Sequence, residues 1–190
     1  SMDPLAPPTL DKPANSTLLA LPVTLSWDPV TNATQYQLQL ARDTAFSDQV
    51  FKGKLVDTFK EFADLAPGKY YWRVKAIEAG GLKGPWSAAR LFTVVKVFPP
   101  VLTSPANEAF VDPALTLTWE LADDAVKYKV QVAKDAAFTN LIVNESTNTL
   151  TKSLTGLKAR SYYWRVRAID AEGYKSPWSN VWKFTVVATP

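Results

Sequence analysis

The residues of this chain that could do chemistry are tryptophans placed beside arginines and lysines. Trp86 and Trp178 each follow a loop that contains glycine, and an earlier strand-like segment carries a pair of cations, as in Arg73 and Lys75. An indole ring attracts a cation over its face with roughly 0.5–2 kcal/mol. The same ring, left exposed, is a platform on which a sugar ring stacks. The spacing therefore indicates either an internal stack or a ligand-facing platform.

The composition lacks the residue types that most catalytic and metal-binding sites use. The 190 residues include neither histidine nor cysteine, which excludes imidazole bases, thiolate nucleophiles and most zinc and haem sites. The densest carboxylates are Asp123-Asp124 with Glu120, and Asp170 with Glu172. We interpret them as solvated turn residues, with a weak calcium site as the alternative. We expect no enzyme activity, no metal and no cofactor.

The charge pattern also restricts the partners. Lys and Arg number 21 and Asp and Glu number 18, and the cations are scattered rather than clustered in sequence. Nucleic-acid binding needs a basic stripe, so we predict none, although Tyr71, Arg73 and Lys75 form a faint version of one. No run of 18 apolar residues occurs, so we predict no insertion into a membrane.

The strongest signal is an internal repeat. When the sequence is shifted by 92 residues it aligns with itself without a gap, and 35 of the 92 aligned positions are identical. Trp27 meets Trp119, and the run 70–74 (Tyr-Tyr-Trp-Arg-Val) meets the same five residues at 162–166. We therefore predict two domains of one kind in tandem.

Each copy has the pattern of a β protein. Apolar and polar residues alternate in short runs, such as Val23, Leu25 and Trp27, and these runs end at Pro, Gly, Asn or Asp. No convincing helical period of 12 residues occurs, although 43–46 is expected to form one turn that tucks Phe46 inward. About seven short strands in some 92 residues predict an all-β, two-sheet sandwich with Trp27 between the sheets.

These motifs together resemble the fibronectin type III family, in the form found in bacterial surface and secreted proteins. The carrying residues are Trp27 with Tyr36, the aromatic-Arg run at 70–74, and Pro85-Trp86-Ser87, with their counterparts in the second copy. The second copy departs at Leu121 and at Ala159-Arg160, which are turn positions. The resemblance implies two immunoglobulin-like sandwiches, at 7–97 and 98–190. Ser1-Met2 is typical of the scar that protease cleavage of a tag leaves, so we interpret residues 1–6 as a tag scar and leader.

The resemblance also implies roles for individual residues. Tyr70 and Tyr162 correspond to the tyrosine whose hydroxyl bonds back to the upstream backbone. The residues expected to be structural are Trp27, Trp119, Tyr70, Tyr162, Trp72, Trp164, Arg73 and Arg165. The residues that could instead face a ligand are Trp86, Trp178, Tyr71, Tyr163 and Trp182. Position 90 is Arg where the second copy has Trp182, so a platform formed by Trp182 and Tyr163 would exist in one copy only.

The sequence thus predicts a non-catalytic spacer in a larger bacterial surface or secreted protein. Its partners would be other domains of the same polypeptide, and the resemblance places it outside the cell or on its surface. The alternative is an adhesion module that holds an envelope polysaccharide or a surface protein through its outward aromatics. The two hypotheses differ in whether those aromatics are free.

Overall fold

The computed structural model describes residues 5–187, which form two compact units. The division falls between Val95 and Lys96, two residues before the boundary predicted at 97/98. Val97 is only 2% exposed and packs in the core of the second unit. No helix appears in the described part of the chain, and consequently none there is long and apolar enough to cross a membrane.

The first unit has two sheets that enclose its core. Its strands are β1 (Thr17–Leu19), β2 (Val23–Ser26), β3 (Ala33–Ala41), β4 (Gln49–Leu55), β5 (Phe59–Phe62), β6 (Gly68–Glu78), β7 (Lys83–Trp86) and β8 (Arg90–Val94). The larger sheet has the order β1-β8-β6-β3-β4, and β7 also pairs with β6. The smaller sheet pairs β2 with β5. All neighbours are antiparallel except β1 and β8, which run parallel.

The second unit repeats this arrangement. Its strands are β9 (Leu102–Ser104), β10 (Ala109–Val111), β11 (Leu115–Trp119), β12 (Ala125–Ala133), β13 (Leu141–Thr147), β14 (Thr151–Leu154), β15 (Ser161–Asp170) and β16 (Trp182–Val186). One sheet has the order β10-β16-β15-β12-β13 and the other has the order β14-β11-β9. Here β10 runs parallel to β16. The all-β, immunoglobulin-like sandwich predicted for each copy is confirmed.

Alternation along the strands selects the residues that fill each core. In β6 the inward side chains of Tyr70, Trp72 and Val74 are at most 1% exposed, whereas the outward ones between them are half-buried. The inward residues meet Val23 and Leu25 of the opposite sheet in one cluster. This is the packing expected of a sandwich whose two inner faces interdigitate. Each unit therefore has its own core.

The leader predicted at 1–6 needs a correction. Leu5 is 6% exposed and belongs to the core cluster of the first unit. It lies so close to Gly84 of β7 that a Cβ built on that glycine would stand 2.9 Å from the Cβ of Leu5. Position 84 therefore has to be glycine for this close approach. Residues 1–4 of the predicted leader lie outside the described residues.

Candidate functional site: a ladder of aromatics and cations on each unit

The outer face of β6 carries an alternating stack of aromatic and cationic side chains. The guanidinium carbon of Arg73 lies 4.0 Å from the ring centre of Phe46 and 4.5 Å from that of Trp86. The amine of Lys75 lies 4.3 Å from the same Trp86 ring centre. Strand periodicity produces this order, because residues 73 and 75 project to the same face and Trp86 of β7 pairs with Lys75. We refer to these four residues as the first ladder.

Phe46 enters the first ladder through a tight turn after β3. The Asp43 carboxylate accepts hydrogen bonds from the backbone N–H groups of Ser47 (3.2 Å) and Asp48 (2.9 Å). Phe46 itself has a φ of 57°, in the left-handed region that aromatic residues rarely adopt. The prediction of a turn at 43–46 is confirmed. The prediction that Phe46 packs inward is wrong, because its ring, which is only 5% exposed, lies under Arg73 on the outer face of the sheet.

The second unit has an equivalent stack, the second ladder. Arg165 lies 3.9 Å from the ring centre of Phe138 and 4.4 Å from that of Trp178, and Arg167 lies 4.5 Å from Trp178. The carboxylate of Asp135 accepts backbone hydrogen bonds from Ala137, Thr139 and Asn140 in the turn that carries Phe138. The two ladders agree in every corresponding distance to within a few tenths of an ångström.

A glutamine beside each arginine fixes the plane of its guanidinium group. Arg73 Nε donates to Gln39 Oε1 at 2.9 Å, and Arg165 Nε donates to Gln131 Oε1 at the same distance. Burial lowers the pKa of both guanidinium groups, and Arg167 lowers that of Arg165 further. Arginine remains charged in spite of such shifts, so each stack keeps its central cation.

The ladders determine what the outward tryptophans can do. Cationic side chains lie over the rings of both Trp86 and Trp178, so these faces are taken by the protein's own groups. A sugar would have to displace a cation before it could stack there. The contacts therefore match the internal-stack interpretation of the two tryptophans. Tyr71 and Tyr163 lie outward and half-buried on the same strands, outside the two ladders.

The predicted platform of Trp182 and Tyr163 needs a correction. Trp182 pairs with Trp164 and Tyr163 pairs with Lys183, so sheet alternation directs Trp182 and Tyr163 to opposite faces. The ring of Trp182 packs edge-on against Trp164 with centroids 6.2 Å apart, at the margin of the core. In the first unit Arg90 occupies this position and donates to the backbone carbonyls of Asp11 and Pro13.

The remaining predicted structural residues lie in or beside the cores. Trp27 contacts Tyr36 and Trp72, and Trp119 contacts Tyr128. The Tyr70 hydroxyl donates to the Ala66 carbonyl at 2.7 Å, and the Tyr162 hydroxyl donates to the Lys158 carbonyl at 3.2 Å. These bonds anchor the corner that precedes each central strand.

The carboxylates singled out in the sequence lie in turns. Asp124 has a φ of 62°, and Asp170 accepts hydrogen bonds from the backbone N–H groups of Glu172 and Tyr174. Glu172 also forms an ion pair with Lys96, whose amine lies 3.9 Å from the ring centre of Tyr174. Between residues 5 and 187 no group of three or more acidic side chains could hold a metal ion.

Four partners of the ladders, Gln39, Gln131, Phe46 and Phe138, were not predicted in these positions from the sequence. Gln39 and Gln131 bond the arginines, and Phe46 was expected to pack in the core. One signal could have identified them, because Gln39 and Phe46 recur at the same positions in the second copy as Gln131 and Phe138. A partly buried polar residue that recurs beside a recurring arginine indicates a bonded pair.

Acid should weaken the turns that carry Phe46 and Phe138. Hydrogen bonds hold the pKa of Asp43 and of Asp135 below the ordinary value; for Asp43 the bond from the Ser47 side chain contributes most, and for Asp135 the backbone bond from Thr139. A lowered folded-state pKa stabilises the fold above the unfolded-state pKa of about 3.9, and this contribution is lost as the pH falls through the folded-state value.

We therefore expect the double variant Asp43→Asn/Asp135→Asn to be less stable than the wild type at pH 7. We also expect a smaller loss of stability between pH about 5 and about 2, because the titrating groups are gone. Urea unfolding measured at several pH values gives both quantities. An acid slope equal to that of the wild type would show that these carboxylates do not contribute.

Known proteins similar to this chain were identified by sequence and by structure. No protein-family model matches the chain. An uncharacterized protein of Treponema pallidum (strain Nichols) is 26% identical over 164 residues, which are 79% of this chain. The match covers 24% of that protein, so the chain spans about a quarter of the length of the curated relative it matches.

Among the solved structures with similar folds are three that contain fibronectin type III or Fn3-like modules. The FN1–FN3 domains of chicken CNTN1 match 96% of this chain and 68% of their own, with 17% identity and a TM-score of 0.40. The fibronectin(III)-like modules of Clostridium thermocellum CbhA match 94% of this chain and 93% of their own, with 14% identity and a TM-score of 0.39. A further Fn3-like protein of the same organism matches 50% of this chain and 99% of its own, with 19% identity and a TM-score of 0.39.

The fold of each unit follows from its own topology. Two sheets enclose one core, the long central strand lies between its antiparallel neighbours, and a tyrosine at its start bonds back to the corner before it. In fold, the chain is a tandem pair of immunoglobulin-like β-sandwiches, the architecture of the fibronectin type III modules that it resembles.

Proposed function

We propose that this chain is a non-catalytic structural module of a larger protein, in which it spaces and presents neighbouring domains. The proposed partners are other domains of the same polypeptide, and the proposed location is the cell surface or the extracellular space. The T. pallidum protein supports a place within a longer chain, because the match covers only 24% of it.

One observation carries this proposal. The same framework of ladder and corner tyrosine is built twice, and the distances from each ladder arginine to its two rings agree between the copies to within about 0.1 Å. In both copies the cations of the ladder lie over the outward tryptophan, Trp86 or Trp178. The most distinctive side chains of the chain therefore stabilise the sandwich that contains them, as expected of a repeated part whose role is to hold its shape.

The alternative is adhesion to a glycan through the outward aromatics. It predicts saturable glycan binding, whereas a spacer predicts none. We expect the wild type to show no saturable binding to neutral polysaccharides such as dextran or cellulose. The double variant Trp86→Ala/Trp178→Ala should lose stability only. Near-ultraviolet circular dichroism verifies that the variant is folded. Saturable binding that the folded variant loses would replace the spacer with the adhesion module.

A further inference from the structure

The outer face of the first unit carries more positive charge than its own acidic residues balance. Five cations lie on or beside the outer face of β4, β6 and β7, and we name this set the basic face. Its members are Lys52, Lys54, Arg73, Lys75 and Lys83.

The strand register fixes the spacing of these cations. Lys52 is opposite Gln39, which is opposite Arg73, and Lys54 is opposite Gln37, which is opposite Lys75. Directly opposite residues project to the same face of a sheet. Neighbouring strands are about 4.8 Å apart and alternate residues about 6.7 Å, so the four backbone positions occupy a patch of about 10 by 7 Å. The result is two parallel rows across the sheet, in each of which a glutamine lies between two cationic residues.

No acidic side chain of the described residues forms an ion pair with these five cations. The four ion pairs formed within the described part of the chain are Arg42–Asp48, Lys96–Glu172, Lys152–Glu145 and Lys183–Glu108, and none includes the basic face. Burial lowers the pKa of Lys75, and the like charges of Lys83, Arg73 and Lys52 lower it further. The cations therefore repel one another, and a bound polyanion would relieve this repulsion.

The geometry of the face selects among polyanions. Proteins that bind single-stranded nucleic acid stack successive bases on a series of free aromatic rings. Here both cations of the first ladder lie over Trp86, which leaves Tyr71 as a single half-buried ring on this strand face rather than a series. Duplex DNA is read by an element that enters a groove, whereas here the cations stand on the broad face of a sheet. Between Lys54 and Lys75 the half-buried Gln37 places an amide that can bond a hydroxyl group, whereas Gln39 in the other row is 5% exposed and holds Arg73. A row of cation, amide and cation suits a polymer whose acidic groups alternate with hydroxyl groups.

We propose that the basic face of the first unit binds an acidic polysaccharide, with its carboxylates or sulfates paired to Lys52, Lys54 and Lys75. This goes beyond a spacer, because it gives the module an attachment point of its own. The contact is made by the lysine amines and the Gln37 amide, and it needs no free aromatic face.

The second unit provides a natural comparison for this face. It has Asn144 and Ser146 at the positions of Lys52 and Lys54. Its Lys129 occupies the position of Gln37, and the amine donates to the Asn144 backbone carbonyl at 2.9 Å. The outermost column of cations is thus missing from the second unit, so we expect the first unit to dominate binding.

The test uses the whole chain and two matched double variants. Lys52→Asn/Lys54→Ser transfers the residues of the second copy to the basic face. Lys12→Ser/Lys158→Ala also exchanges each lysine for the residue of the other copy and removes the same net charge elsewhere. All four introduced residues occur at the equivalent positions of the other unit, and circular dichroism verifies folding.

The probes are polygalacturonate and dextran sulfate, with uncharged dextran, duplex DNA and polyglutamate for comparison. We expect the wild type to bind at least one acidic polysaccharide and not dextran, with an affinity that falls steeply between about 50 and 300 mM salt. Lys52→Asn/Lys54→Ser should weaken binding by about fivefold or more, and Lys12→Ser/Lys158→Ala by less than about twofold.

Three results would overturn the proposal. The first is that neither acidic polysaccharide binds. The second is that both double variants weaken binding equally, which would show a response to net charge alone. The third is tighter binding to DNA or polyglutamate at equal charge concentration, which would assign the face to another class of partner. The proposal does not depend on the spacer function, because that function is tested with neutral polysaccharides and with the tryptophan variants.

Discussion

Replacing Trp72 with alanine is expected to destabilise the first unit by about 3–5 kcal/mol. Trp72 is fully buried in β6 and packs against Trp27, with ring centroids 6.5 Å apart. The substitution removes its apolar contacts and leaves a cavity that the surrounding strands cannot fill. Since domains are typically stable by 5–15 kcal/mol, the variant should lose a large part of its stability.

The same substitution also tests whether the two units unfold separately. The cores share no residue, so Trp72→Ala should leave the unfolding midpoint of the second unit unchanged. Trp164→Ala is the matched variant and should have the reverse effect. Urea titrations monitored by amide NMR signals from each unit separate the two transitions. A parallel shift of both midpoints in either variant would contradict independent cores.

Replacing Arg73 with alanine is expected to cost the first unit about 2–3 kcal/mol. The guanidinium group lies over Phe46 and Trp86 and donates to Gln39, which is 5% exposed. The variant would expose both rings and leave the Gln39 carbonyl oxygen without this donor. Relief of the repulsion from Lys75 offsets a small part of the loss.

Two further variants separate the contributions of charge and geometry. Arg73→Lys keeps the positive charge but has neither the planar fork nor the Nε donor, so it should recover less than half of the loss. Lys83→Ala removes an exposed cation that lies over no ring and should change the free energy of unfolding by less than about 0.5 kcal/mol. Chemical unfolding gives the free energy of unfolding of all three variants. Equal effects of Arg73→Ala and Lys83→Ala would mean that the ladder does not stabilise the unit.

Most of the fold could be predicted because alternation in a strand leaves little freedom. Once Trp72 and Val74 are assigned inward, Arg73 and Lys75 must project outward, as they do in the structure. The internal repeat strengthened this prediction, since two sequences with the same alternation support one topology. The core could therefore be predicted more completely than the surface.

The parts that sequence reasoning placed incorrectly depend on pairing rather than on pattern. Trp182 and Tyr163 were expected to form one platform, but the register of β15 and β16 puts them on opposite faces. Phe46 is apolar and was expected in the core, whereas the turn at Asp43 places its ring under Arg73. Leu5 has no strand pattern around it, so the sequence gives no sign that its side chain packs closely against Gly84 in the structure.

The parallel pairing of β1 with β8 also determines how a unit responds to mechanical force. The chain enters β1 at one end of the pair and leaves β8 at the other, with Thr17 opposite Phe92 and Leu19 opposite Val94. Tension on the two ends of the unit pulls these strands in opposite directions along their own axes. Their hydrogen bonds are then loaded together in shear rather than opened one after another. Because β10 and β16 pair in the same way, each unit has such a shear contact between a strand near its start and its last strand.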